Sequence, residues 1–310
     1  MARDRLFYLS LIPLASFSVA TFVAILTLFA YKSAPAILHE GFALLASSRW
    51  SPSASPTHAF YGLLPAIVGT VVTSSIALAI AIPISVAAAI FLNEYAPPKL
   101  KSVVSTIVSA AAGMPTVVYG LWGLYVLAPF IQEYVAPNLH RYLGFLPLFS
   151  CKPVSGYSIL TAGVLLAIMV TPYTFAAVSE AYSSIPSSVR EAAYSIGARR
   201  FEASRLLLSM ARPAVIAAAL LGLGRAASET VAVTMVVGNS PTVTSCLLSP
   251  GTTITSLIAT QFGEASLYPY MESALFAGGL ILLLLGLALS TYGLILVSRW
   301  RRWLSSYGWG

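Results

Sequence analysis

The sequence predicts an all-α polytopic membrane protein, and its composition and apolar stretches support this. Of 310 residues, 58% are hydrophobic and only 9% are charged. So much apolar surface cannot be buried inside a water-soluble fold. About 20 helical residues cross roughly 30 Å of hydrocarbon, and six stretches are long enough: residues 6–31, 63–92, 102–131, 157–179, 213–238 and 273–298. Six transmembrane helices are therefore expected, because a helix satisfies its own backbone hydrogen bonds in lipid.

The first apolar stretch, residues 6–31, follows Arg3 and Arg5 and so begins like a signal peptide. Its 26 uncharged residues exceed the apolar region of a signal peptide, and no obvious small-x-small cleavage site precedes Lys32. We expect a retained helix.

The positions of Lys and Arg predict the orientation, because cytoplasmic loops carry the excess of positive charge. With the N-terminus inside, the outer side holds only Lys32, Arg49, Arg141 and Lys152. The inner side holds 12 of the 17 Lys and Arg residues: Arg3, Arg5, Lys99, Lys101, Arg190, Arg199, Arg200, Arg205, Arg212, Arg299, Arg301 and Arg302. Both termini are therefore expected in the cytoplasm. The net charge of +7 reflects this topology and does not indicate nucleic-acid binding.

The chain divides into two parts. Residues 1–62 hold the first helix and an outer loop, and residues 63–300 hold the other five spans, with an inner segment at 181–212. The outer connections are polar, and Pro and Ser clusters such as SPSASPTH at 51–58 predict irregular loops. The last one holds an apolar pattern with helical spacing, which predicts a short helix on the outer surface: Ile254, Leu257, Ile258 and Phe262.

Proline and glycine interrupt several spans, at Pro83, Gly113, Pro115, Gly222 and Gly224. Both residue types are frequent in membrane helices in general. Alternatively, the kinks and close helix approaches that they allow shape a pathway between helices. Both interpretations stay open at the level of sequence.

The inner segment at 181–212 predicts two short helices. Ser188 and Glu191 have the spacing of a capping box, and Gly197 supplies a helix stop. A second helix, through 201–210, leads into the fifth span. Between the two signals, Ala192 and Ala193 offer small side chains that let the backbone of another protein come close.

Arg225 is the thirteenth of 26 residues in the fifth span, so it is expected near the middle of the membrane. A lone arginine there costs roughly 2.5 to 3.5 kcal/mol on insertion scales and is not expected to face lipid. Glu229 follows four residues later, one helical turn away on the same face. Either the two side chains form a structural pair, or Arg225 presents its charge to an anion and Glu229 holds it in place. Thr230 and Asn239 offer further hydrogen-bonding groups, which serve the same anion or cap and pack the helix.

Other site types find little support in the sequence. Tyr119, Trp122 and Tyr125 favour packing or an interfacial position over substrate contact. The three histidines show no metal-ligand spacing, so neither a metal nor a cofactor is expected. The phosphate-binding loop G-x-x-x-x-G-K-[ST] and the protease motifs H-E-x-x-H and G-x-S-x-G do not occur. The chain is therefore expected to be no enzyme and to bind and hydrolyse no ATP itself.

Cys151 and Cys246 are the only two cysteines. The topology places both in outer loops, on the oxidising side, where disulfides persist. A bridge between the two loops requires Cα atoms within about 7 Å, and the alternative is two unpaired thiols near the membrane surface.

Two motifs carry a family resemblance. The run EAAYSIGARRFEASRLLLSMARP at 191–213 resembles the EAA loop of ABC importer permeases, matching at Glu191, Ala192, Ala193, Gly197 and Leu207. Ser209 and Met210 stand where that pattern has Leu-Pro. The resemblance implies that this loop is a coupling helix seated in a groove of an ATPase subunit.

The run GLGRAASETVAVTMVVGN at 222–239 resembles the GLGRALGETMAV pattern of phosphate importer permeases. NEYAPPKLK at 93–101 and GMPTVVYGLWGLYVLAP at 113–129 also look like the C-type subunit of that binding-protein-dependent ABC type-1 family. The resemblance implies a permease in a prokaryotic cytoplasmic membrane that passes inorganic phosphate inward. It implies three kinds of partner: a homologous permease, an ATPase dimer and an extracytoplasmic phosphate-binding protein.

Three alternatives remain. The chain also fits the A-type partner subunit of the same importer, or a permease for molybdate or sulfate. An anion transporter that works without an ATPase is a third, and it would need no coupling helix. Co-purification of an ATPase through residues 191–197 distinguishes the importers from the last.

Overall fold

A computed structural model describes residues 2–306, with side chains described at residues 12, 13, 15–300 and 302. The two ends of the chain, Met1 and residues 307–310, lie outside the described residues. So do the side chains of Arg3, Arg5 and Arg301, which contribute to the predicted orientation.

The described part of the chain is mostly helical. Its helices are α1 (Ala2–Glu40), α2 (Ala43–Ala46), α3 (Leu64–Ile90), α4 (Pro98–Ala112), α5 (Thr116–Trp122), α6 (Ala128–Phe130), α7 (Ala136–Leu143), α8 (Ile159–Ser183), α9 (Ser187–Ser195), α10 (Arg200–Ala227), α11 (Val231–Val236), α12 (Ile254–Gln261) and α13 (Met271–Ser306). Wider π-helical turns follow α3, α5 and α6, at Phe91–Tyr95, Gly123–Leu127 and Ile131–Val135. Short 3-10 turns occur at Pro56–His58, Pro147–Phe149 and Phe262–Leu267.

The predicted spans are present, with one important difference. Within residues 2–306, five helices are long and apolar enough to cross a membrane: Ala15–Glu40, Leu64–Tyr95, Ile159–Ser183, Arg200–Ala227 and Met271–Trp300. The third predicted span, 102–131, is instead a pair of helical segments, Pro98–Ala112 and Thr116–Leu143, that meet at an angle of 93°. Gly113 and Pro115 lie in this break, so the span is either broken or re-entrant.

The central contact of the fold is the packing of α8 against α3. Gly163 allows the close approach, because a Cβ added there would lie 2.7 Å from the Cβ of Ile76. Further along the same two helices, the hydroxyls of Ser85 on α3 and Thr174 on α8 form a hydrogen bond of 2.6 Å. Pro83 and Pro172 remain inside their helices, so the kink expected at Pro83 does not end α3.

The first helix packs against the last. The rings of Phe29 and Phe276 meet edge to face with centroids 5.1 Å apart, and the Lys32 ammonium lies 3.1 Å from the Glu272 carboxylate. The loop that follows α1, expected to be irregular, contains a short sheet in which β1 (Trp50–Ser51) pairs antiparallel with β2 (Phe60–Tyr61).

Two further predictions need correction. The helix expected at 254–262 is present as α12, but only its second half is at the surface. Ile254 and Leu257 are buried, and the Ile254 N–H donates to the Thr70 hydroxyl on α3, whereas Phe262 is exposed. The second inner helix and the fifth span are one continuous helix, α10, which passes through Pro213 and ends at Ala227.

Candidate functional site

The break between α4 and α5 is held by two tyrosines. The last carbonyls of a helix have no intrahelical partner, and a buried carbonyl without one is costly in a membrane. The Tyr119 hydroxyl donates to the Ala111 carbonyl at 3.0 Å, and the Tyr173 hydroxyl, from α8, donates to the Ala112 carbonyl. Side chains from α5 and α8 therefore stabilise the break.

Arg225 contacts this capped break. Its guanidinium carbon lies 3.8 Å from the centroid of the Tyr173 ring, and its Nη2 donates to the Tyr173 hydroxyl at 3.0 Å. A guanidinium over an aromatic ring gains a cation–π attraction without losing its charge. The side chain remains exposed in the single chain. Arg225 is thus oriented by Tyr173 and still available to an anion.

The contact between Arg225 and Glu229, which both interpretations of the sequence assume, does not form in the described structure. Residues four apart share a face only while the helix continues, and α10 ends at Ala227. Among the ion pairs of the described residues, none joins these two side chains. Glu229 Oε1 instead accepts the Ala232 N–H at 3.5 Å, at the start of α11, where the helix dipole favours a carboxylate.

The other two candidate residues lie at the ends of α11. Thr230 precedes the helix, and its hydroxyl makes a long hydrogen bond of 3.4 Å to the Ser228 carbonyl. Asn239 adopts a left-handed conformation with φ of 51°, and its side-chain amide donates to the Thr234 carbonyl at 2.8 Å. Both side chains therefore form local hydrogen bonds at the ends of α11. Among the described residues, the side-chain partner of Arg225 is Tyr173, not Thr230 or Asn239.

A cavity of about 250 Å³ lies between α10 and α13, beside Arg225. Arg225 is the one charged residue among those that line it, the others being Leu221, Gly224, Ala227, Ser228, Leu282, Leu285, Gly286 and Ser290. An anion in this space would meet a single fixed cation against mostly apolar walls, where electrostatic attraction is less screened than in water.

The predicted coupling segment is a helix, with some differences in detail. α9 starts at Ser187 after Pro186 and has no side-chain cap, so the capping box expected from Ser188 and Glu191 does not form. Gly197, with φ of 87°, ends the helix as expected. Glu191 and Ala192 are exposed, whereas Ala193 is only 2% exposed. Ala193 therefore packs within its own chain, and the expectation that it faces another protein is wrong.

The exposed surface of α9 and its neighbours is partly apolar. Ile196 is 85% exposed and Phe201 is 71% exposed, and the Tyr194 side chain is also exposed. Large apolar side chains grouped on one surface typically mark a protein–protein contact.

Comparison with known proteins identifies the family. Residues 81–302, more than half of the chain, match the family model described as the binding-protein-dependent transport system inner membrane component. The chain belongs to this family. A protein of Methanocaldococcus jannaschii named "Probable phosphate transport system permease protein PstC" is 43% identical over 284 residues, which cover 92% of this chain and 90% of that protein.

Two further proteins also resemble this chain. The phosphate transport system permease proteins PstC of Xylella fastidiosa and Pasteurella multocida are both 37% identical to it. The matches cover 96% and 92% of this chain and 89% and 88% of the relatives. A solved structure of the MetNI methionine ABC transporter in inward-facing conformations matches with a TM-score of 0.50 and 19% identity, over 76% of this chain and 94% of that one. That likeness concerns the fold alone.

Sequence reasoning missed two functional residues of this chain. Tyr173 lies in an uncharged span, and nothing in its neighbourhood distinguishes it from a packing aromatic. Glu94 does give a signal, because it is the first charged residue after a span of 30 uncharged residues, 63–92. Its side chain is only 4% exposed, and buried carboxylates are rare unless paired.

The loops after α7 and α11 are joined at Cys151 and Cys246. The two form a disulfide with Cα atoms 6.1 Å apart. Beside it, the Leu247 N–H donates to the Leu148 carbonyl at 2.8 Å. The bridge thus ties the loop after α7 to the loop that follows α11.

Replacing Gly197 with leucine is expected to destabilise the turn between α9 and α10. A side chain in the left-handed region costs about 1–2 kcal/mol, which corresponds to roughly tenfold more of the locally open form. Tryptic cleavage at Arg199 and Arg200 should therefore accelerate about tenfold. Gly263→Leu is the matched control, since a Cβ at either glycine meets nothing within 4 Å but only Gly197 has a positive φ. Equal cleavage rates in both variants would contradict the conformational argument.

Proposed function

We propose that this chain is the transmembrane permease subunit of an ATP-driven phosphate importer, passing inorganic phosphate from an extracytoplasmic binding protein to the cytoplasm. The observation that carries this is the similarity to phosphate permeases over about nine tenths of both chains. The family itself is one of binding-protein-dependent transport components. Residues 63–300 would form the permease core, and residues 1–62 an added helix and outer loop.

The geometry around Arg225 supports an anionic substrate. Phosphate carries one to two negative charges near neutral pH and needs a cation along its way, but a site that binds too strongly would trap it. Arg225 offers one charge, oriented by Tyr173 at a break in the helix layer. Glu229, Thr230 and Asn239 belong to this proposed pathway as residues that shape its backbone.

Energy would come from another polypeptide, since the chain has no phosphate-binding loop for ATP. The partly apolar surface of α9 supports a docking role for Glu191, Ala192 and Gly197 toward an ATPase dimer. Ala193 would contribute by fixing α9 to its own chain. A homologous permease would complete the pathway beside Arg225, whose side chain is exposed in the single chain.

The proposed location is a prokaryotic cytoplasmic membrane, with both termini in the cytoplasm. The excess of Lys and Arg on the inner side supports this orientation. It places α9 and the start of α10 inside, and the disulfide outside, where oxidising conditions preserve it.

The orientation predicts how the cysteines react in intact cells. A membrane-impermeant thiol reagent should label neither Cys151 nor Cys246 before reduction and both after it, because both lie in the same bridge on the outer side. A chain with Ser195→Cys, an exposed position on α9, is the control and should be labelled only after lysis. Labelling of the native cysteines only after lysis would reverse the orientation, and labelling without reduction would contradict the bridge.

Reconstitution in liposomes tests the function as a whole. The chain with a homologous permease, an ATPase dimer and the binding protein should take up radioactive phosphate only when ATP is supplied. Competition by molybdate or sulfate at equal concentration would favour the alternative of a permease for another oxyanion. Uptake by the chain alone, driven by an ion gradient, would overturn the importer proposal. Function only as the second permease, beside a PstC subunit, would assign the A-type role instead.

A further inference from the structure

Three donors converge on one oxygen of Glu94. Arg190 approaches Oε1 with Nη2 at 2.8 Å and Nε at 3.1 Å, and the Tyr182 hydroxyl donates to the same atom at 3.1 Å. Arg190 belongs to α9 and Tyr182 to the inner end of α8, while Glu94 lies in the π-helical turn that ends the α3 span. A charge-assisted contact of this kind is short and directional.

The neighbouring residue extends the contact to α4. The Asn93 amide donates to the Ser179 hydroxyl on α8 at 3.1 Å, and its oxygen accepts from Lys101 at 2.9 Å. Lys101 lies in the first turn of α4. Residues 93 and 94 therefore bind α9, α8 and α4 at one point.

The two ends of α4 connect this point to the capped break. α4 is 15 residues long, about 22 Å. Its first turn is held through Asn93 and Lys101, and its last carbonyl accepts the hydroxyl of Tyr173, on which Arg225 is stacked. A rigid helix held at both ends is a physical connection between the inner surface and the break.

We propose that Glu94 is the positioning residue through which movement of α9 reaches α4 and the break beside Arg225. The proposal rests on the proposed function, in which α9 is the ATPase-coupling helix. Arg190 is the only cation among the described residues within 4.0 Å of the Glu94 carboxylate, so α9 cannot shift without either moving Glu94 or leaving a buried charge unpaired. Moving Glu94 moves the turn to which α4 is attached.

The charge of the Glu94 contact can be removed with little change of side-chain shape. Glu94→Gln keeps an oxygen that accepts from Arg190 and Tyr182 but removes the ion pair. Glu180→Gln is the matched control, since Glu180 is exposed on the inner end of the same α8 that carries Tyr182. A fluorophore on Ser105→Cys, an exposed position of α4, reports on that helix, because both native cysteines are held in the disulfide.

The experiment uses the full complex with its ATPase, partner permease and binding protein in liposomes. For Glu94→Gln we expect the ATPase to remain bound and to hydrolyse ATP, while phosphate transported per ATP falls about tenfold. The fluorescence change that ATP produces on α4 should be lost. Glu180→Gln should keep both the phosphate transported per ATP and the fluorescence change. The double variant Glu94→Arg with Arg190→Glu, which exchanges the two charges, should restore part of the transport.

Three outcomes would overturn the proposal. Uptake and hydrolysis that fall by the same factor, following the amount of folded complex, would give Glu94 a structural role only. If ATP produced the same fluorescence change on α4 in Glu94→Gln as in the chain that keeps Glu94, α4 would not follow α9 through this contact. The absence of any fluorescence change in the chain that keeps Glu94 would show the same. If no ATPase co-purifies with the unaltered chain, the proposed function fails as well, and this result is distinct from the other two.

Discussion

Phosphate uptake is expected to fall about 10- to 100-fold when Arg225 is replaced by leucine, with the complex still assembled. A hydrogen bond to a charged group contributes roughly 1.5–3 kcal/mol, and each 1.4 kcal/mol corresponds to a factor of ten. Leucine removes the one charge of the cavity between α10 and α13, yet it keeps an apolar side chain in a mostly apolar wall. Uptake of radioactive phosphate, normalised to co-purified complex, measures the effect.

Two further variants separate charge from geometry at this position. Arg225→Lys keeps the charge but loses the planar group that stacks on Tyr173, so an intermediate uptake is expected. Arg212→Gln, an exposed arginine about 20 Å earlier on the same helix, is the control and should transport normally. Normal uptake by Arg225→Leu would exclude Arg225 from the pathway and leave it a packing role on Tyr173.

The spans were predictable because membrane insertion imposes a length and an apolar composition on each helix. The break at Gly113 and Pro115 was only half predictable. Both residues signal an interruption, but Pro83 and Pro172 carry the same signal and lie inside continuous helices. The difference is tertiary: hydroxyls from Tyr119 and Tyr173 satisfy the carbonyls that the break exposes.

The site was predictable in its residue types and less so in its contacts. Arg225 was found because a charge inside an apolar span is rare. Its pairing with Glu229 was inferred from helical spacing, and that inference fails where α10 ends at Ala227. Gly197 was correctly predicted as a helix stop, since a left-handed residue favours glycine whatever surrounds it. Which of Ala192 and Ala193 faces outward depends on how α9 packs against α10, and sequence does not give that.

Because Ala192 is exposed and Ala193 is buried, substitutions at the two positions should act differently. Ala192→Asp is expected to abolish ATP-driven uptake by releasing the ATPase, because it places a charge on the exposed face of α9 next to Ile196. A charge that is desolvated in an interface without a partner weakens binding strongly. Co-purified ATPase should fall at least about tenfold, a change of 1.4 kcal/mol or more in binding free energy. The chain itself should remain folded in the membrane, since the altered side chain is exposed.

Ala193→Asp is the informative counterpart, because it changes the neighbouring position on the buried face. With Ala193 only 2% exposed, an aspartate there buries an unpaired charge inside the chain. Its effect should appear first as less folded protein in the membrane, measured by thermal unfolding in detergent, and only then as lost transport. Ala192→Ser, which keeps a small uncharged side chain, should retain the ATPase. If Ala192→Asp bound the ATPase as tightly as Ala192→Ser does, the exposed face of α9 would not be the docking surface. In that case the partly apolar patch around Phe201, at the start of α10, would have to carry the contact.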